Sequence, residues 1–226
     1  MRRNLSGFTL VELLVAIAVM ALLAIVSWRG LDGMVRSQQI TRERADAVLA
    51  LQTVLAQWGA DLDALQAVER TQPIAWDGQV LRLTRRGMRQ PDEGALVVAW
   101  TLRNVDGSDR WLRWQSAPVR THAEWTEAWA RAAQWARSPG AAERRHETAL
   151  MPVAGWQLYY YRGGAWANAQ SANTTGSMPQ TPGGLGNAAA SIPEGVRVQL
   201  TLPEGGALAG VITRDWANPL LGGGKS

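Results

Sequence analysis

Cysteine is absent from all 226 residues, which excludes disulfides, thiolate nucleophiles and sulfur-based metal sites. Histidine is confined to His122 and His146, so only two side chains titrate near neutral pH when unperturbed. No G-x-S-x-G, P-loop or H-E-x-x-H pattern occurs, and these shortages together point away from an enzyme and from a metal or organic cofactor. Lys225 is the only lysine, and the formal charge of +4 is carried almost wholly by arginine. Those arginines are scattered along the chain and do not gather on one predicted face, so no nucleic-acid partner is expected. An Asp-Gly-Ser-Asp cluster at Asp106–Asp109 lacks the spaced acids and terminal bidentate Glu of a calcium loop and reads as a turn.

Phenylalanine occurs once against twelve tryptophans. Trp76, Trp100, Trp114, Trp156 and Trp166 stand where a large ring would pack within strands or helices, and core filling explains most of them. The alternative is a platform for carbohydrate or apolar substrate, which requires exposed rings.

The long hydrophobic run is the strongest positive feature. Gly7-Phe8-Thr9-Leu10-Val11-Glu12 opens an apolar stretch that continues to Val26, long enough at 1.5 Å per residue to cross roughly 30 Å of hydrocarbon. No A-x-A-like cleavage site follows it before Ser27-Trp28-Arg29, so the segment is an anchor and not a removable signal. An acid in such a helix is costly, on the order of 2.5 to 3.5 kcal/mol at the centre and less near an end, where Glu12 lies. Glu12 therefore calls for a partner; an ordinary signal anchor whose acid snorkels to the headgroups is the plainer alternative.

The segment Met1-Arg2-Arg3-Asn4-Leu5-Ser6-Gly7 followed by Phe8 and Glu12 resembles the leader of type IV prepilins and type II secretion pseudopilins. The resemblance implies cleavage after Gly7 by a prepilin peptidase, N-methylation of Phe8 as the new amino terminus, and an assembly role for Glu12, whose carboxylate would meet the amino terminus of a neighbouring subunit. Opposite charges a few ångströms apart in low dielectric attract far more strongly than in water. Arg29, Arg36, Arg42 and Arg44 follow the span while only Arg2 and Arg3 precede it, so a positive-inside count would keep the bulk of the chain cytoplasmic. The leader resemblance implies the opposite: a bacterial inner-membrane protein crossing once, with its C-terminal domain in the periplasm.

The expected organisation is a leader over 1–7, a transmembrane helix over 8–27, an amphipathic continuation over 28–70, a β-rich head over 71–218 and a disordered tail over 219–226. Val48, Leu51, Leu55, Trp58, Leu62 and Leu65 alternate three-and-four spacing, a stripe fit either for the protein's own sheet or for a partner, with Thr71-Gln72-Pro73 ending the helix. Val80–Arg85 alternates, and Ala95–Leu102 reads as a more buried strand. It turns through Asn104–Asp109 into Arg110–Trp114, a hairpin. Thr121 and Glu124 have capping-box spacing for a tryptophan-bearing helix ended by Ser138-Pro139-Gly140, and His146 falls in a solvated Arg-Arg-His-Glu loop. Gly155–Tyr161 and Ala165-Trp166 form a second hairpin, 168–191 a long polar loop, and Gly195–Leu202 with Ala207–Asp215 a final strand pair. The fold class is α+β.

Leu31-Asp32-Gly33-Met34-Val35-Arg36-Ser37, Val153–Trp166 and Ile192–Leu200 are similar to segments of the J-type minor pseudopilins of type II secretion. That resemblance implies a type IV pilin-like fold, a long N-terminal helix packed on a β-rich head. It also implies a tip complex with I-type and K-type minor pseudopilins that initiates the pseudopilus. A minor pilin of a type IV pilus, or a module recruiting secreted exoproteins at the tip, are the competing functions.

Overall fold

The computed structural model describes residues 9–87, 94–174 and 192–221, with the side chains of 172–174 excepted. Gly7 and Phe8 lie outside the described residues, as do 175–191 of the expected polar loop and 222–226 of the expected tail. The chain divides into two compact units, one ending at Ala47 and one starting at Val48. Helix α1 (Leu10–Asp63) forms the described part of the first unit and contributes its last turns to the second. Its first half carries an 18-residue window of mean hydropathy 2.8 with none of its residues buried, as expected of a helix whose solvent is lipid.

Helix α1 stops at Asp63, short of the expected end near residue 70. Beyond it the backbone turns to the sheet: Gln66 N–H donates to the Thr84 carbonyl, and Arg86 N–H to that of Ala64. Pairing with a strand edge satisfies these groups more readily than another helical turn.

A five-stranded antiparallel sheet follows in simple order: β1 (Ile74–Trp76), β2 (Val80–Arg86), β3 (Ala95–Val105), β4 (Ser108–Gln115) and β5 (Glu147–Pro152). Between β4 and β5 lie α2 (His122–Arg137) and the short α3 (Ala141–Arg144). A second sheet in order β7-β6-β8-β9 holds β6 (Gly155–Arg162), β7 (Ala165–Asn168), β8 (Gly195–Leu202) and β9 (Gly210–Ala217). Helix α4 (Ala169–Thr174) precedes the undescribed stretch, so the polar loop expected over 168–191 starts as a turn and a half of helix. Strand β1 begins at Ile74, where the period of two was expected to start; β5 was not expected, because it carries polar residues and a proline.

The five-stranded sheet is buried on both faces, which explains the near-continuous apolar run of β3. Val98 and Trp100 face one way, into a core shared with Trp58 and Leu62 of α1 and with Leu158, Val198 and Leu200 of the second sheet. Val97 and Ala99 face the other way, against Trp125, Ala128, Trp129 and Trp135 of α2. The stripe on α1 is thus largely used within the chain: Val54, Trp58, Leu62 and Leu65 are buried, whereas Val48 remains exposed. The core-filling reading of tryptophan holds for Trp76, Trp100 and Trp114, which are buried, whereas Trp166 is exposed. Trp58, Trp100, Trp111 and Trp156 form a tilted and edge-on cluster with centroids 4.5 to 6.4 Å apart, geometry favoured by the ring quadrupole.

Local sequence rules decide the connections. Asp106 (φ 51°) and Gly107 (φ 81°) give the tight β3–β4 hairpin its two left-handed residues, the requirement that favours Asp-Gly at such turns. At α2 both arms of the capping box are made: Glu124 N–H donates to Thr121 Oγ1 at 3.2 Å, and Thr121 N–H to Glu124 Oε2 at 3.0 Å.

Candidate functional site

Two places on α1 carry chemistry. The first is its entrance. Thr9 N–H and Thr9 Oγ1–H donate to Glu12 Oε2 at 3.0 and 2.9 Å, and Glu12 N–H donates to Thr9 Oγ1 at 3.3 Å. This is a capping box at the mouth of the apolar helix, satisfying amide donors that have no intrahelical acceptor. A carboxylate in the first turn also complements the positive end of the helix dipole. Glu12 thus has a partner inside its own chain, which the sequence reading did not supply although Thr-x-x-Glu was legible there. Its second oxygen, Oε1, accepts no hydrogen bond among the described residues.

The second place is the last turn of α1, within the second unit. Asp61 is fully buried. It accepts from Arg113 Nε at 2.7 Å and Nη2 at 2.9 Å, from Trp100 Nε1 at 2.9 Å, from Gln57 Nε2 at 3.1 Å and from Arg85 Nη1. Trp100 and Arg113 are register partners on β3 and β4, and Arg85 lies on β2, so one carboxylate ties the helix to three strands. Two residues on, Asp63 Oδ1 accepts from Trp216 Nε1 on β9 at 2.8 Å, tying the same turn to the second sheet. Two acids at a helix C-terminus oppose the dipole; they are retained because their donors stand across the interface. Sequence reasoning missed this network, since Asp61 and Asp63 look like solvent-facing residues beside the apolar stripe.

The two histidines are not brought into a common site. His122 opens α2, exposed and stacked on Trp125 at 5.7 Å, and His146 is exposed after α3 with its N–H on the Glu143 carbonyl. Among the described residues no cluster of three or more His, Cys, Asp or Glu could hold a metal ion.

The anchor's entrance falls within a stretch, residues 2–28, that matches the prokaryotic N-terminal methylation motif. The chain has relatives too. Type II secretion system protein J of Vibrio cholerae serotype O1 is 26% identical over 174 residues, 74% of this chain and 75% of that protein. Type II secretion system protein J of Klebsiella pneumoniae is 37% identical over 99 residues, 44% of this chain and 48% of that protein. The methylation motif and these relatives together support a J-type minor pseudopilin. The pilin-like order of long apolar helix followed by antiparallel sheets fits this placement. The apolar N-terminal helix and the motif suggest a single-pass inner-membrane anchor, and the methylation motif implies processing by a peptidase.

Proposed function

We propose that this minor pseudopilin is cut between Gly7 and Phe8 by prepilin peptidase, N-methylated on Phe8, and incorporated at the pseudopilus tip beside I-type and K-type partners, with its head in the periplasm. In this reading the tip complex initiates assembly and supports export of proteins across the outer membrane, and exoproteins meet the head as cargo. The observation that carries it is the state of the Glu12 carboxylate. One oxygen is held by Thr9 while the other accepts no hydrogen bond among the described residues, so an incoming amino terminus can be bound without breaking the cap.

Two measurements test it. Gly7→Val places a branched side chain at the scissile backbone, and intact mass should show an uncleaved precursor; efficient maturation would overturn the cleavage assignment. Glu12→Ala should insert and mature normally but lose in-membrane crosslinking to the I-type partner, because the attraction is intermolecular. Normal crosslinking with normal export would return Glu12 to a purely capping role.

A further inference from the structure

The head gathers arginines that are far apart in sequence around one cleft. A cavity of about 520 Å³ lies between the β3–β4 turn, the end of α2 and α3. Arg103, Arg137 and Arg144 line it together with Asp106 and Glu147. Arg103 is committed: its Nη2 donates to Glu147 Oε2 at 2.7 Å and its Nη1 to the Trp135 carbonyl at 3.0 Å, while Trp135 Nε1 also donates to Glu147 at 2.6 Å. Glu147 is therefore tied into the wall through Oε2 and paired in charge with Arg103. Arg137 and Arg144 are exposed and have no hydrogen-bond or ion-pair partner among the described residues, leaving two open guanidinium groups and one open acid, Asp106.

We propose that this cleft binds a polypeptide segment bearing an acidic side chain, with the carboxylate on Arg137 and Arg144 and a backbone N–H of the segment on Asp106. The planar guanidinium fork suits a carboxylate, and the volume lies within the range of clefts that take a small ligand or a few side chains. The fixed Arg103–Glu147–Trp135 arrangement shapes the wall without requiring a ligand. Mixed charge decides the class of occupant: a bare polyanion would meet Asp106 at the mouth, whereas a peptide brings N–H donors along with its carboxylate. Binding is expected to weaken with salt, because the open guanidinium groups are solvent-facing.

The test uses the full chain in detergent micelles and three probes: acetyl-Gly-Glu-Glu-Gly-amide, the same peptide with Gln in place of Glu, and inorganic phosphate. Calorimetric titration should show the Glu peptide binding at least tenfold more tightly than either other probe. The indole N–H resonance of Trp135 should shift on addition. Arg137→Gln with Arg144→Gln should weaken the Glu peptide at least tenfold while leaving the thermal midpoint unchanged, since both side chains are exposed and unpaired. Equal binding of the Gln peptide, equal or tighter binding of phosphate, or indifference to the double substitution would overturn the proposal.

Discussion

Arg113 grips Asp61 with two parallel bonds, Nε to Oδ2 at 2.7 Å and Nη2 to Oδ1 at 2.9 Å, across 52 residues of sequence. Arg85 reaches the same carboxylate from β2, so one negative charge serves two guanidinium groups in the interior of the head. Such an arrangement is strongly asymmetric: replacing every member by apolar groups can be neutral, but removing one leaves charge buried without compensation.

Asp61→Asn is therefore expected to destabilise the protein by about 3 to 5 kcal/mol, the cost of breaking a buried pair. Chemical denaturation of the full chain in detergent, followed by tryptophan fluorescence, measures it. A loss below about 1 kcal/mol, the size of an exposed pair, would show that water reaches the arginines.

Trp58 has no exposed surface and touches Trp100, Trp111 and Trp156. Trp58→Ala should cost about 3 to 5 kcal/mol through lost burial and the cavity left behind. Val48→Ala, on the exposed start of the same stripe, should change stability by less than about 0.5 kcal/mol. Equal effects in the same denaturation series would mean that the stripe is covered along its whole length.

The Tyr160 hydroxyl is buried with no hydrogen-bond partner among the described residues. Burial raises its pKa well above the ordinary phenol value, with the Arg162 charge opposing it. The folded state then keeps a proton that the unfolded state releases above pH about 10, so stability should fall as pH rises beyond that point. Tyr160→Phe should leave neutral-pH stability unchanged or improved and flatten the alkaline decline. Denaturation at pH 8 and 11 compares the slopes, and a steep decline in both proteins would assign the loss to another group.

The Glu124 carboxylate is held below its usual range chiefly by the Arg120 backbone N–H, then by that of Thr121. A depressed pKa means the unfolded state binds the proton first, so the stabilising contribution is present above the ordinary carboxylate range and is lost as pH falls through the folded value. Thr121→Ala should lower stability by about 1 kcal/mol at neutral pH, as for other N-cap losses. Native-state hydrogen exchange should show faster opening in the first turn of α2, and unchanged exchange there would disprove the cap's contribution.

Much of the architecture was legible because it rests on neighbours in sequence. The apolar run from Phe8, the Asp-Gly hairpin at 106–107, the Thr121–Glu124 capping box and the period-two strands each depend on residues within about one turn or one strand pair. Thr9 and Glu12 obey the same rule, the threonine standing three residues before the acid that it caps.

What tertiary structure alone decided is which polar groups lie inside. Asp61 and Asp63 sit beside an apolar stripe and look like solvated positions; Asp61 is interior because Arg85, Trp100 and Arg113 come from strands 24 to 52 residues away, while Asp63 stays exposed and meets Trp216 across 153 residues. The same holds for the cleft: arginines that are scattered along the chain become neighbours only when β3, α2 and α3 close around it. Sequence determined the membrane anchor, its processing motif and the order of elements, because hydrophobic period and capping chemistry are local. Burial of charge is not local, since its energy depends on a partner that only the completed fold brings within reach.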